Sequence, residues 1–233
     1  SSDNRPNIEG DDRNDIVRSL YEMGAQVDVS KLKDYWIVGQ EGILQYKQKE
    51  KQNNPYFLAY ENTNAFRRDR FATKLQFDYK FTDALTLTGR FMRDAFTEGR
   101  ESKKAFSTYG QVNGGYLIED IYRKETNMEL NLGYKKNLGE KWSLDAFVAG
   151  NRMYSYGKNL NNEAAQLTIP EVYSISNGVA GDVTYNSSWS EKAIYSVYGM
   201  ASFGFNDMVF LDLTARNDWS STLPVDNRSY FYP

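Results

Sequence analysis

The 233 residues contain no His and no Cys, which removes the usual general base, the thiol nucleophile, disulfides and the commonest zinc ligands together. Catalytic triads and His-based metal centres are excluded within this chain. The chemistry that remains is that of charge, amide and aromatic surface. Arg90, Asp94, Asn151, Arg152, Arg216 and Asp218 are candidates to line a ligand pathway, although strict alternation turns Arg152 the other way. Trp219, Tyr230 and Tyr232, with Phe231 among them, offer ring faces on which a sugar or peptide can stack. The plainer reading of both groups is contact with neighbouring strands and loop packing. Asp11-Asp12 lacks the spaced oxygen ligands of a calcium loop, and no paired-acid motif for carboxylate catalysis is present. No enzyme activity, metal or cofactor is expected, and Arg67-Arg68-Asp69-Arg70 reads as a solvated rim.

The elements that must position these residues are strands. Phe71, Thr73, Leu75, Phe77, Tyr79 and Phe81 alternate with Arg70, Ala72, Lys74, Gln76, Asp78 and Lys80, a period of two with one apolar and one polar face. After Thr82-Asp83-Ala84 the phase is kept by Leu85, Leu87, Gly89 and Phe91, so the two runs form a hairpin. Met128, Leu130, Leu132 and Tyr134 make the next apolar face, opposite Asn127, Glu129, Asn131 and Lys135. A turn around Asn137 to Glu140 leads to Trp142, Leu144, Ala146, Val148 and Gly150. The last pair carries Tyr195, Val197, Gly199, Ala201, Phe203 and Phe205, then Val209, Leu211, Leu213 and Ala215 beyond Asn206-Asp207-Met208.

Between these hairpins lie polar, Gly-rich stretches, 98–121 and 157–191, with 219–233 at the end; all three are expected to be long loops. Residues 1–66 show no sustained alternation and read as a surface segment, with a short helix over Asp12 to Met23 capped by Asp11 or Asp12 and a short strand at Tyr56 to Tyr60. Residues 67–233 carry the strands. Aromatic residues are abundant (18 Tyr, 13 Phe, 4 Trp) and Pro is sparse at 5, which favours long strands and an all-β class. No run approaches the ~20 apolar residues of a membrane helix. A net charge of -3 with both signs dispersed gives no footprint for nucleic acid.

Six strands thus form three hairpins whose short turns and long loops sort to opposite ends. Soluble sandwiches have no reason for that sorting, whereas outer-membrane barrels have short periplasmic turns and long extracellular loops. The apolar face is therefore expected to meet lipid, and the aromatic residues near the turns to form an interfacial girdle. A soluble β-sandwich binding module is the competing architecture.

Leu211 to Pro224, followed by Asn227 to Pro233, closely resembles a motif in the barrels of SusC/RagA-type TonB-dependent transporters from Bacteroidetes; Asn54 to Phe57, Arg68 to Phe71 and Leu85 to Arg90 are similar to the same family. The resemblance implies an up-and-down antiparallel barrel of roughly 22 strands with a plugged lumen. It also implies an outer-membrane location in a Gram-negative bacterium, energy from the TonB complex, a SusD-like lipoprotein partner and a glycan or peptide cargo. No plug domain, TonB-box segment or closing strand is recognisable, so the chain is expected to be an internal barrel piece. A passive porin or a surface-binding barrel is the alternative within membranes.

Overall fold

The computed structural model describes residues 2–6, 15–206 and 208–233. Among them, eight strands lie in one sheet in chain order: β1 (Ser2–Pro6), β2 (Thr63–Lys80), β3 (Leu85–Thr108), β4 (Gln111–Leu138), β5 (Trp142–Ala164), β6 (Val183–Phe205), β7 (Val209–Ser220) and β8 (Ser229–Tyr232). This is an up-and-down antiparallel sheet of the barrel type. β2 to β7 include the six expected strands. β3 to β6 run for 23 to 28 residues, at least twice the ~9–11 that a tilted strand needs to cross a bilayer.

That length corrects three expectations. The stretch 98–121 is not a loop: β3 and β4 continue through it and are joined at Tyr109 and Gly110. Of 157–191, only 165–182 lies outside strands, and the end of the chain folds back as β8 onto β7. The cause is visible in the side chains. From 98 to 104 both faces are polar and ion pairs bridge the strands: Glu98, 3 % exposed at its side chain, is held between Arg68 and Arg100, and Arg100 also faces Glu119 at 3.6 Å. A strand that is wet on both sides has no period-two hydrophobic signal.

The turns use the backbone their residues allow. Thr82 Oγ1 accepts from the Leu85 amide at 3.0 Å, which closes the β2–β3 connection locally. Gly139 in the β4–β5 turn has φ 84°, a conformation open to Gly at no steric cost.

By contacts the chain divides into two compact units, 1–69 with 97–121 and 159–188, and 70–96 with 122–158 and 189–233. The first holds the irregular segments. Helix α1 (Ile16–Tyr21) is capped by Asp15, whose carboxylate accepts from the Val17 amide at 2.8 Å. It is shorter than expected, and Asp11 and Asp12 lie outside the described residues. Tyr56 to Tyr60 is not a strand but part of helix α2 (Pro55–Tyr60), because Asn54 caps it and Pro55 stands in its first turn, where a missing N–H costs nothing. Phe57 and Leu58 are fully buried, packing with Ala105, Ile16, Tyr35 and Trp36.

Around that core sits a set of buried amides. Gln45 Nε2 donates to Asn53 Oδ1 at 2.9 Å and to the Ser107 carbonyl at 2.7 Å, while its Oε1 accepts from the Asn54 amide at 2.8 Å. Asn53 Oδ1 also accepts from the Tyr109 amide, and Asn54 Nδ2 donates to the carbonyls of Leu32 and Tyr46. Segment 45–54 is thereby fastened to the β3–β4 tip. The 165–182 segment has its own clasp, Asn177, which donates to the carbonyls of Ile169 and Val172 and accepts from the Ile169 amide. Burial, with the charges of Glu61 and Glu171 behind it, pushes the Tyr173 hydroxyl up to about 12. Tyr173 therefore stays neutral, and Lys103 sits 5.4 Å from its ring centre as a cation over a π face.

The second unit is a regular sheet whose faces differ in the expected sense. On the apolar face Leu75 is 62 % exposed and Leu130 57 %. On the polar face of the middle strands Ala149 and Ser196 are each 2 % exposed and the Glu129 side chain 16 %. The polar face is thus the enclosed one.

Candidate functional site

The polar face of this sheet carries a continuous ladder of side chains. On β2 and β3, Thr88 Oγ1 donates to Asp78 at 2.6 Å and Arg90 Nε to Gln76 at 3.2 Å. Arg90 Nη1 then donates to Glu129 Oε1 of β4 at 2.5 Å. Glu129 Oε2 accepts from the Tyr198 hydroxyl at 2.6 Å, although Tyr198 belongs to β6 and β5 lies between. On the polar side of β5, Ala149 is buried, and the Phe147 ring meets Tyr198 edge-on at 6.0 Å. Beyond Tyr198, the Arg216 guanidinium of β7 lies 5.4 Å from the Tyr198 ring centre, donates to Ser196 at 3.2 Å and is held by both oxygens of Asp218 at 2.9 and 3.0 Å.

Register places the terminal aromatics. Tyr232 is opposite Arg216 and Tyr230 opposite Asp218, so both tyrosines share the polar face with that ion pair. Trp219 is opposite Ser229 on β8 and Tyr195 on β6, which puts it on the apolar face. Arg152 lies there too, donating to the Tyr195 hydroxyl at 3.3 Å. Asp94 forms a separate bidentate pair with Arg70, one contact being 2.8 Å. Asn151 follows Ala149 on the polar side of β5.

The candidates read from sequence therefore divide. Arg90, Asn151, Arg216, Asp218, Tyr230 and Tyr232 come together along one face, while Arg152 and Trp219 do not join them and Asp94 is occupied by Arg70. Glu129, Tyr198 and Ser196 are the members that sequence reasoning missed. One signal was available: Tyr198 is the lone aromatic at a polar-face position of β6, where Ser196, Ser202 and Gly204 are its companions.

Removing the carboxylate strands two donors at once. Glu129→Ala is expected to lower barrel stability by about 1.5–3 kcal/mol and Tyr198→Phe by about 1 kcal/mol. Because they share one bond, the double variant should cost less than the sum. Guanidinium unfolding of the full-length protein checks this; strict additivity would show that the Tyr198 hydroxyl is not bonded to Glu129.

Comparison with known proteins bears on what this face belongs to. No family model matches the chain. In sequence it is 25 % identical over 228 residues to a protein named TonB-dependent receptor P3 of Formosa agariphila, covering 94 % of this chain and 21 % of that protein. In structure it superposes on the RagAB peptide transporter with a TM-score of 0.71 and 19 % identity, over 81 % of this chain and 22 % of the other. The RagAB peptide importer in its open-open state gives 0.70 over 84 % of this chain and 22 % of the other, also at 19 % identity. The chain has the fold of a segment of these transporter barrels. It spans about a fifth of the length of the relatives it matches. In such a fold one face of the sheet is turned to the barrel interior and the other outward.

Proposed function

We propose that this segment forms part of the wall of an outer-membrane active importer that takes up peptides. The apolar face of β2 to β7 lies in lipid, TonB supplies the energy through a part of the protein outside these residues, and a SusD-like lipoprotein covers the outer mouth. The observation that carries the reading is the sorting of side chains in one sheet: a linked polar ladder on one face and a mainly apolar series of residues on the other. Peptide is favoured over glycan for two reasons. Arg216 and Asp218 present both signs of charge beside Tyr230 and Tyr232, which suits the charged ends and apolar side chains of a peptide, and the similar solved structures are described as peptide transporters.

The test is uptake of a labelled oligopeptide mixture by cells whose sole copy of the full-length gene is wild type, Asp218→Asn or Tyr230→Ala. Wild-type uptake should collapse when a protonophore removes the energy source, and each variant should slow it about tenfold, the equivalent of roughly 1.4 kcal/mol. Uptake that persists with the protonophore would make the barrel a passive pore. Uptake of labelled oligosaccharide alone would reassign the cargo.

A further inference from the structure

The apolar face of the strand unit is not smooth. A groove of about 720 Å³ is lined by five successive strands, β2 to β6, within the ~300–1,000 Å³ range of small-molecule sites. Its floor is made by Gly89 and Gly150, flanked by Phe77, Leu130 and Val197. The Phe77 ring already covers Gly89, where an added Cβ would come within 2.0 Å of it, but nothing lies within 4 Å of where a Cβ on Gly150 would stand. The depression is open at Gly150.

One end of the groove is cationic. Arg152 and Tyr195 line it, and the guanidinium is 5.6 Å from the Tyr154 ring centre and 5.8 Å from that of Tyr195. Lys124 stands next to this group, 5.4 Å from the Tyr154 ring and 5.7 Å from that of Tyr156. Among the described residues neither cation forms a salt bridge. Glu191 faces Tyr154, which leaves two cations to one acid. A net positive charge on a face that meets lipid is costly unless a headgroup answers it, and stacking on tyrosines holds the guanidinium fork in place for a bidentate oxyanion.

We propose that this groove is a binding site for one phosphorylated, acylated lipid, its phosphate held by Arg152 and Lys124 and an acyl chain lying over Gly150. The inference rests on the reading that this face lies in lipid. An apolar trough with a cationic end fits an amphiphile with an anionic head; free phosphate would gain nothing from the trough.

The full-length protein, purified in detergent, is offered phosphatidylglycerol or phosphatidylcholine with identical chains, and retained lipid is counted by native mass spectrometry. Wild type should retain phosphatidylglycerol about tenfold over phosphatidylcholine, the Arg152→Gln/Lys124→Gln pair should reduce that preference to about twofold or less, and Gly150→Leu should reduce retention of both lipids. Heat-modified gel mobility identifies folded variants, and Lys124→Gln alone should already weaken the preference if the double variant does not fold. Equal retention of the two lipids by wild type, an unchanged preference in the folded cation variants, or displacement by inorganic phosphate would overturn the site. Failure of the import reading is seen separately: Gly150→Leu should take up peptide at the wild-type rate, so loss of lipid retention with intact uptake belongs to the lipid site alone.

Discussion

Arginine at Leu213 should destabilise the full-length barrel by about 2–4 kcal/mol, and arginine at Asn131 by no more than about 1 kcal/mol. Leu213 is 55 % exposed on the apolar face, opposite Ala201 on β6, which the proposed function places in hydrocarbon. The guanidinium would there need water or a headgroup that the bilayer centre does not supply. Asn131 lies on β4 two residues from Glu129, facing as it does, where water and polar groups are at hand. Leu130, its neighbour on the other face, should behave like Leu213. Folding titrations into phosphatidylcholine vesicles measure all three. Equal costs at Asn131 and Leu213 would mean that neither face meets lipid.

Asn54→Ala should open the first unit locally, raising the rate of proteolysis between residues 20 and 60 about 30- to 1,000-fold, the equivalent of about 2–4 kcal/mol. Asn54 is 2 % exposed. Its Oδ1 caps α2 by accepting from the Tyr56 amide at 2.9 Å, and its Nδ2 satisfies the carbonyls of Leu32 and Tyr46 at 3.0 and 3.2 Å. Alanine loses the cap, worth about 1 kcal/mol, and leaves two carbonyls without their donor at about 1 kcal/mol or more each. Asn54→Ser keeps a cap acceptor without adding a charge and loses only the amide donor, so its cleavage rate should fall between wild type and alanine. Cleavage of Asn54→Ala at the wild-type rate would show that the amide cluster does not hold this unit together.

The parts of the fold legible in the sequence are those in which one face is apolar and the other polar. From Phe71 to Phe91 and from Tyr195 to Ala215, alternation alone places each residue on its face, and the structure repeats those assignments. The signal ends where both faces are wet. Glu98, Arg100 and Glu119 are strand residues paired by charge, and a pattern built on hydrophobic contrast reads them as loop. Helix α2 was hidden differently: Asn54-Pro55 reads as a turn, yet the same dipeptide is a helix cap followed by a proline in the first turn, and only the burial of Phe57 and Leu58 decides between the two. On the polar face, Arg90, Arg216 and Asp218 follow from alternation. The bond from Tyr198 to Glu129 does not, because it depends on the register of three strands.

The central claim, that one sheet divides lipid from lumen residue by residue, is tested most directly by spin labels placed one at a time at positions 209 to 216 of the full-length protein in bilayers. Collision with oxygen, which concentrates in lipid, and with a water-soluble nickel complex is measured at each position. Labels at Val209, Leu211, Leu213 and Ala215 should favour oxygen, and those at Asp212, Thr214 and Arg216 should favour nickel, with a period of two along β7. A profile with no alternation, or with the two sets exchanged, would contradict the barrel assignment and the import function built on it.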